Sequence, residues 1–203
     1  MIRENPVTEG VKESYTQRLL RLQNAGWKKY LPVQLPYALH LKRLVASGST
    51  LEVGCGIGRN LQNLGDSAVG VDVDRESVAY VVEALELRAF TPEGFFSSTY
   101  GSARFDNLLL SHVLEHVDPS QRTGTVSMYL PNLRHEGRLI VITPQERGYE
   151  SDSTHVGFFD FRSGAKLAQE LGMTIERQYS FPFPRPFGKI FRYNEFVTLL
   201  RAP

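Results

Sequence analysis

The residues best placed by type and spacing to do chemistry are three glycines and one acid. Leu51-Glu52-Val53-Gly54-Cys55-Gly56-Ile57-Gly58-Arg59-Asn60 follows a short apolar run and leads into a helical stretch. Glycines let the backbone turn sharply and let a ligand approach with no side chain between. The exposed N–H groups where a helix begins can also meet a carboxylate or phosphate. Such a loop alone is a weak signal, since some are only tight structural turns. Gly70-Val71-Asp72 narrows the choice, because Asp72 lies 18 residues beyond Gly54 at the end of a second apolar run. An acid at that distance can accept both hydrogen bonds of a ribose diol. The dinucleotide pattern GxGxxG would put its third glycine where Arg59 stands, and here that glycine comes one place early, at Gly58. The close approach a pyrophosphate requires is therefore missing, which argues against a nicotinamide oxidoreductase.

A second group lies in the polar segment from Pro144 to Asp160, where His155 stands between Asp152 and Asp160. His155 is a candidate general base, with either acid setting its tautomer. The same three side chains are a candidate oxygen-rich set for magnesium together with substrate hydroxyls. A third reading is that His155 caps the next helix or pins the loop. Phe181-Pro182-Phe183-Pro184-Arg185-Pro186-Phe187-Gly188 forms a stiff apolar lip that could stack on a sugar or lipid, or cover a homodimer contact. Phe183 is its candidate substrate contact. Cys55 sits in a backbone-lined loop and makes no case as a nucleophile. His40 and His135 read as surface or packing residues, and His116 as structural, in a helix just after the site.

These groups need a scaffold. Thr8 to Tyr30 reads as a helix with Tyr15, Leu19, Leu22 and Gly26 on one face, and Pro36 to Ala46 as a second. If the first helix folds over the site as a lid, Tyr15, Arg18 and Trp27 become substrate contacts, although packing alone explains them too. From Thr50 onward short apolar runs alternate with helical segments. Strands are expected at Thr50–Val53, Ala68–Val71, Arg88–Phe90, Phe105–Leu110, Gly137–Thr143, Met173–Tyr179 and Phe191–Leu200. Helices are expected at Asn60–Leu64, Glu76–Leu87 and Phe161–Leu171. The alternation implies an α/β fold, a Rossmann-like and mainly parallel seven-stranded sheet with helices on both faces. Only the proline-rich segment separates the last two strands, and with no crossover helix there the last strand must run antiparallel.

The GxGxG loop with its acid resembles the cofactor loop of class I S-adenosylmethionine-dependent methyltransferases. Phe105-Asp106-Asn107-Leu108-Leu109-Leu110-Ser111-His112-Val113-Leu114-Glu115-His116-Val117 is similar to that family's fourth strand and its L-E-H segment, and Gly137 to Pro144 to its fifth. The reversed last strand fits the same family. The resemblance implies that Glu52, Gly54, Gly56 and Gly58 line the methionine part of the cofactor, with Glu52 ordering the loop and the methionine amine. It implies that Asp72 binds the ribose hydroxyls and that Val73 packs on adenine, near Phe90-Thr91-Pro92. It puts Ser111 and His112 beneath the methionine and sulfonium. The acid many members carry near adenine is absent here. Thr154 to Asp160 resembles bacterial sugar O-methyltransferases, including an actinobacterial type that methylates mannoside precursors of methylmannose polysaccharide.

Composition bounds what remains. The chain has 203 residues, which suits a single domain: a helical cap over 1–47, a cofactor-binding core over 48–145, and substrate loops with the last two strands over 146–203. Lys and Arg total 23 against 22 Asp and Glu, so a large nucleic-acid surface is not expected. One cysteine excludes an internal disulfide and a multi-cysteine zinc site. No apolar run approaches the ~18 residues of a membrane span, and MIRENPVTEG lacks the apolar stretch of a signal peptide, so the cytoplasm is the expected location. A small polar acceptor methylated on oxygen is the leading expectation. N- or C-methylation of a small molecule, and a non-catalytic interaction role, stay open.

Overall fold

The computed structural model describes residues 16–17, 35–45 and 48–203. Of the helix expected over Thr8 to Tyr30, only Thr16 and Gln17 are described, and both are helical. Tyr15, Arg18 and Trp27 lie outside the described residues.

Seven strands form one sheet in the order β3-β2-β1-β4-β5-β7-β6. Strand β1 (Thr50–Val53) pairs in parallel with β2 (Ala68–Val71) and with β4 (Phe105–Ser111). The two-residue β3 (Ala89–Phe90) extends one side, and β5 (Leu133–Pro144) lies beyond β4. Strand β7 (Glu195–Arg201) inserts antiparallel between β5 and β6 (Thr174–Phe181). The central strands are buried on both faces, with Leu51, Leu108, Leu109, Leu110, Leu139, Ile140, Ile142, Val197 and Leu200 sealed from solvent. Each such side chain stabilises the fold by about 1.5–3 kcal/mol on burial.

The described helices are α1 (Leu35–Leu44), α2 (Arg59–Leu64), α3 (Arg75–Glu83), α4 (Pro92–Ser97), α5 (Arg122–Ser127), α6 (Glu146–Tyr149) and α7 (Phe161–Glu170). None is long and apolar enough to cross a membrane. Asp74 caps α3 by accepting from Ser77 N, and Thr91 caps α4 by accepting from Gly94 N.

Four local expectations change. The segment holding His116 is a turn, since α5 starts only at Arg122. The polar segment after β5 contains the short helix α6. The proline-rich segment carries a 3₁₀ turn, Arg185–Lys189, which still leaves no crossover, and the last strand is antiparallel as the loop length requires. Phe191 to Asn194 belongs to that connection, not to β7: Asn194 uses its side chain to accept from Phe183 N and to donate to Gln145.

Candidate functional site

The glycine loop leaves the carboxyl end of β1 and enters α2. Gly54, Gly56 and Gly58 all have left-handed backbones, with φ of 76°, 51° and 74°. A side chain at Gly54 would also strike Val113, whose Cγ2 lies 2.4 Å from the position of a Cβ. At Gly58 the obstacle is Val81 Cγ2, at 2.9 Å. The loop therefore tolerates no Cβ at either place, for reasons of both strain and space.

Asp72 holds this loop from the end of β2. Its carboxylate accepts from Gly56 N at 2.7 Å and from Asp74 N at 2.9 Å. Burial raises its pKa, against those backbone hydrogen bonds. Val73, next to it, is 83% exposed, an apolar side chain with a free face. Asp72 N donates to Phe90 O, so Phe90-Thr91-Pro92 adjoins the same strand ends. Thr16 Oγ1 donates to Asp74 at 2.7 Å, which puts Thr16 at this rim.

Glu52 is buried beneath the loop. Its Oε1 accepts from Asn60 Nδ2 at 2.7 Å, while Oε2 has no hydrogen-bond partner. Burial pushes its pKa up to about 8, opposed by the Asn60 bond and assisted by the charge of Asp72. A buried carboxylate oxygen without a partner is rare unless a ligand completes it. Cys55 is buried with its Sγ against Gly70, and burial drives the thiol pKa upward, away from nucleophile chemistry.

Residues at the ends of β4 and β7 complete this group. Ser111 Oγ lies 2.8 Å from the Tyr37 hydroxyl on α1. Burial raises the Tyr37 pKa, with Glu195 adding to it. His112 has φ 58°, an uncommon left-handed conformation for a residue with a side chain. Its ring lies between two carboxylates: Nε2 is 2.8 Å from Glu195 Oε1 and Nδ1 is 3.2 Å from Glu115 Oε1. Burial disfavours the charged ring, but Glu115 and Glu195 outweigh it and lift the pKa to about 10. The two carboxylates thus favour the imidazolium form, which has no lone pair to serve as a base.

The segment after β5 is fastened onto the turn after β4. Val156 N and Gly157 N both donate to Glu115 O. Arg122, 7% exposed, donates through Nε to Leu114 O and Val117 O, and through its terminal nitrogens to Gly157 O and Phe158 O. His155 Nδ1 lies 2.7 Å from Tyr149 O, so in the neutral ring Nδ1 carries the proton and Nε2 keeps its lone pair. That tautomer is set by a backbone carbonyl, not by an acid. Asp152 accepts from Thr154 N and Oγ1, and Asp160 caps α7 by accepting from Ser163 N and Oγ. Both acids thus serve local turns, and Asp152, His155 and Asp160 do not stand together as a group of three ligating side chains among the described residues. His155 packs instead against His116, with ring centroids 4.7 Å apart, and on the Tyr149 ring.

Phe183 packs on Phe187 and Phe191 and is 44% exposed. The lip is tied down by Arg185, which pairs with Glu146, and by buried Gln145, which bonds Ser180, Glu195 O and Asn194. His40 stacks on Phe181 and meets the Tyr179 hydroxyl at 2.6 Å, a packing role. His135 lies on the exposed start of β5. Tyr37, Asn60, Glu115, Arg122 and Glu195 were not singled out by sequence reasoning. Only Glu115 left a signal, inside the L-E-H segment.

A family model described as a methyltransferase domain matches residues 27–178. None of the curated proteins matches the chain in sequence. Many solved structures share the fold. The N-methyltransferase NodS from Bradyrhizobium japonicum WM9, in complex with S-adenosyl-L-homocysteine, is 16% identical with a TM-score of 0.66, over 95% of this chain and 100% of that one. A TehB-like SAM-dependent methyltransferase from Corynebacterium glutamicum is 18% identical with a TM-score of 0.64, over 93% and 96% of the two chains. A SAM-dependent methyltransferase from Archaeoglobus fulgidus is 14% identical with a TM-score of 0.64, over 93% and 100%.

Proposed function

The chain belongs to the methyltransferase-domain family, and we propose that it moves a methyl group from S-adenosylmethionine to a hydroxyl of a small polar acceptor, a sugar or oligosaccharide. A mannoside precursor of methylmannose polysaccharide is the narrowest form of this reading. The observation that carries the cofactor assignment is Glu52. Its buried, unpartnered Oε2 lies below three left-handed glycines and near Asp72, a set of acceptors that suits an amino acid joined to a ribose.

When bound, S-adenosylmethionine supplies a methyl group on a sulfonium, whose departure as a neutral sulfide needs no acid. Glu52 accepts from the methionine ammonium. Gly54, Gly56 and Gly58 let the backbone close on the methionine portion. Asp72 accepts from the ribose diol with the lone pairs that Gly56 N and Asp74 N leave free, and Val73 covers adenine. Ser111 and His112 form the floor beneath the sulfur. The chain's main contribution is alignment of the two reacting atoms.

A hydroxyl acceptor must lose its proton as the new bond forms. His155 keeps an Nε2 lone pair and is the candidate to receive it. Around it stand His116 and Thr154, with Tyr149 stacked behind. Tyr15, Asp152, Asp160 and Phe183 remain proposals for acceptor contacts. Of these, Asp160 contributes by fixing the start of α7.

Calorimetry tests the cofactor, and transfer from labelled S-adenosylmethionine to sugars, phenols, acids and amines tests the acceptor. Tight binding of S-adenosylhomocysteine, none of NAD, and label in a sugar are expected. Label in amines alone would overturn O-methylation, and no binding of S-adenosylhomocysteine would overturn the enzyme reading.

A further inference from the structure

The turn after β4 holds a second group of ligating atoms. Glu115, His116 and His155 each offer one, and these lie within 4.8 Å of one another. Glu115 is fully buried, and both of its carboxylate oxygens lack a hydrogen-bond partner. His112 Nδ1, 3.2 Å from Glu115 Oε1, is near enough for an ion pair but lacks hydrogen-bond geometry, so neither oxygen has a formed hydrogen bond. A buried carboxylate whose hydrogen bonds are unfilled is costly, and a cation beside it would complete them.

The two imidazoles are prepared as cation ligands. His155 Nδ1 lies 2.7 Å from Tyr149 O, and His116 Nδ1 lies 3.2 Å from Thr154 O. A carbonyl on the Nδ1 proton fixes the ring and leaves Nε2 for the ligand, the outer arrangement typical of metal-bound histidine. The backbone is fixed as well, since Val156 N and Gly157 N donate to Glu115 O and Arg122 spans both segments.

We propose that Glu115, His116 and His155 bind one divalent transition-metal ion. Two imidazole nitrogens and one carboxylate oxygen suit zinc, manganese, cobalt or iron(II), and not magnesium, which prefers oxygen donors throughout. Three protein ligands leave coordination positions for an acceptor oxygen. The ion's role in the reaction rests on the methyl-transfer reading, whereas its binding does not. With the ion in place His155 is a ligand. Such an ion would make a hydroxyl bound to it acidic enough to give its proton to water.

The test uses the whole chain, stripped with a chelator. Zinc is titrated by calorimetry and cobalt by visible absorption, in the wild type, His116→Ala and Glu115→Gln. One equivalent of zinc and cobalt d–d bands are expected in the wild type, with affinity at least about tenfold weaker in His116→Ala. His116→Ala should keep its S-adenosylhomocysteine affinity and its unfolding midpoint, which covers the case in which Glu115→Gln fails to fold. No stoichiometric binding at about 100 µM ion, or equal affinity in His116→Ala, overturns the proposal. Full methyl transfer in chelator overturns the ion's catalytic role alone. Zinc binding by a chain that ignores S-adenosylhomocysteine sustains the site and overturns the methyl-transfer reading.

Discussion

The Nε2 of His112 donates to Glu195 Oε1 at 2.8 Å, joining the residue after β4 to the first residue of β7. The bond helps hold His112 in its left-handed backbone conformation, which a side chain disfavours. Glu195→Ala should cost about 1 kcal/mol of stability, a modest figure because the imidazole is 44% exposed and solvent replaces part of the contact. Chemical denaturation against the wild type measures this. An unchanged midpoint would show that the pair does not hold the turn.

Glu52 should make cofactor binding depend on pH. Its pKa is raised to about 8, so at pH 7 most of the ligand-free protein carries the acid form. An ammonium ligand favours the carboxylate, so binding should release a proton. Affinity for S-adenosylhomocysteine should rise from about pH 6 to about pH 8 and then level off. The raised value also means that this group's contribution to folding is fully present below about 4.5 and lost as pH rises through about 8. Glu52→Gln should flatten the binding profile and weaken affinity by about tenfold or more. Calorimetry in buffers of different ionisation enthalpy counts the proton.

Asp72 has two tasks, and its variants should separate them. Asp72→Ala removes the acceptor of Gly56 N and Asp74 N along with the ribose contacts. S-adenosylhomocysteine affinity should fall by about 100-fold, with some loss of stability. Asp72→Asn keeps an oxygen for one N–H and should lose less of both. Equal affinity in Asp72→Ala would remove the residue from the site.

Gly54→Ala combines an unfavourable φ with a collision against Val113 Cγ2. Cofactor binding and stability should both drop. Adding Val113→Ala removes the collision but not the backbone strain, so the double variant should recover only part of the loss. Complete recovery would mean that space alone forbids the side chain.

Arg122 is the clamp between the turn after β4 and the segment bearing His155. Its five-donor fork serves four carbonyls, which lysine cannot match. Arg122→Lys should cost about 2–3 kcal/mol in denaturant unfolding, and methyl transfer should fall further than S-adenosylhomocysteine affinity. Equal losses in both would mean that the clamp serves the cofactor half instead.

The regular part of this architecture is written in short-range pattern. Strands β1 and β2 begin and end where the runs Thr50–Val53 and Ala68–Val71 do, because each is apolar and bounded by turn-forming residues. Helix α4 also left its signature, Thr91 as cap with Pro92 behind it, but two adjacent phenylalanines obscured the helical period. The site divides in the same way. Glycines and the acid at Asp72 announce themselves by spacing. Tyr37 meets Ser111 across 74 positions, and Glu195 meets His112 across 83. Asp152 and Asp160 flank His155 in sequence, yet each carboxylate turns to its own following residues. Only the packed sheet brings Glu115 to His155.

The place of β7 between β5 and β6 bears on synthesis. A chain emerging from the ribosome makes β6 before its partner exists, and among the described residues β6 has no other neighbour in the sheet. Until residues 195–201 are out, β5 also presents an open edge, and such edges invite association with other chains. Glu195 arrives with that same strand. Closure of the sheet and completion of the His112 pair are therefore one event, so the nascent protein should complete the candidate site only as it loses its exposed edge.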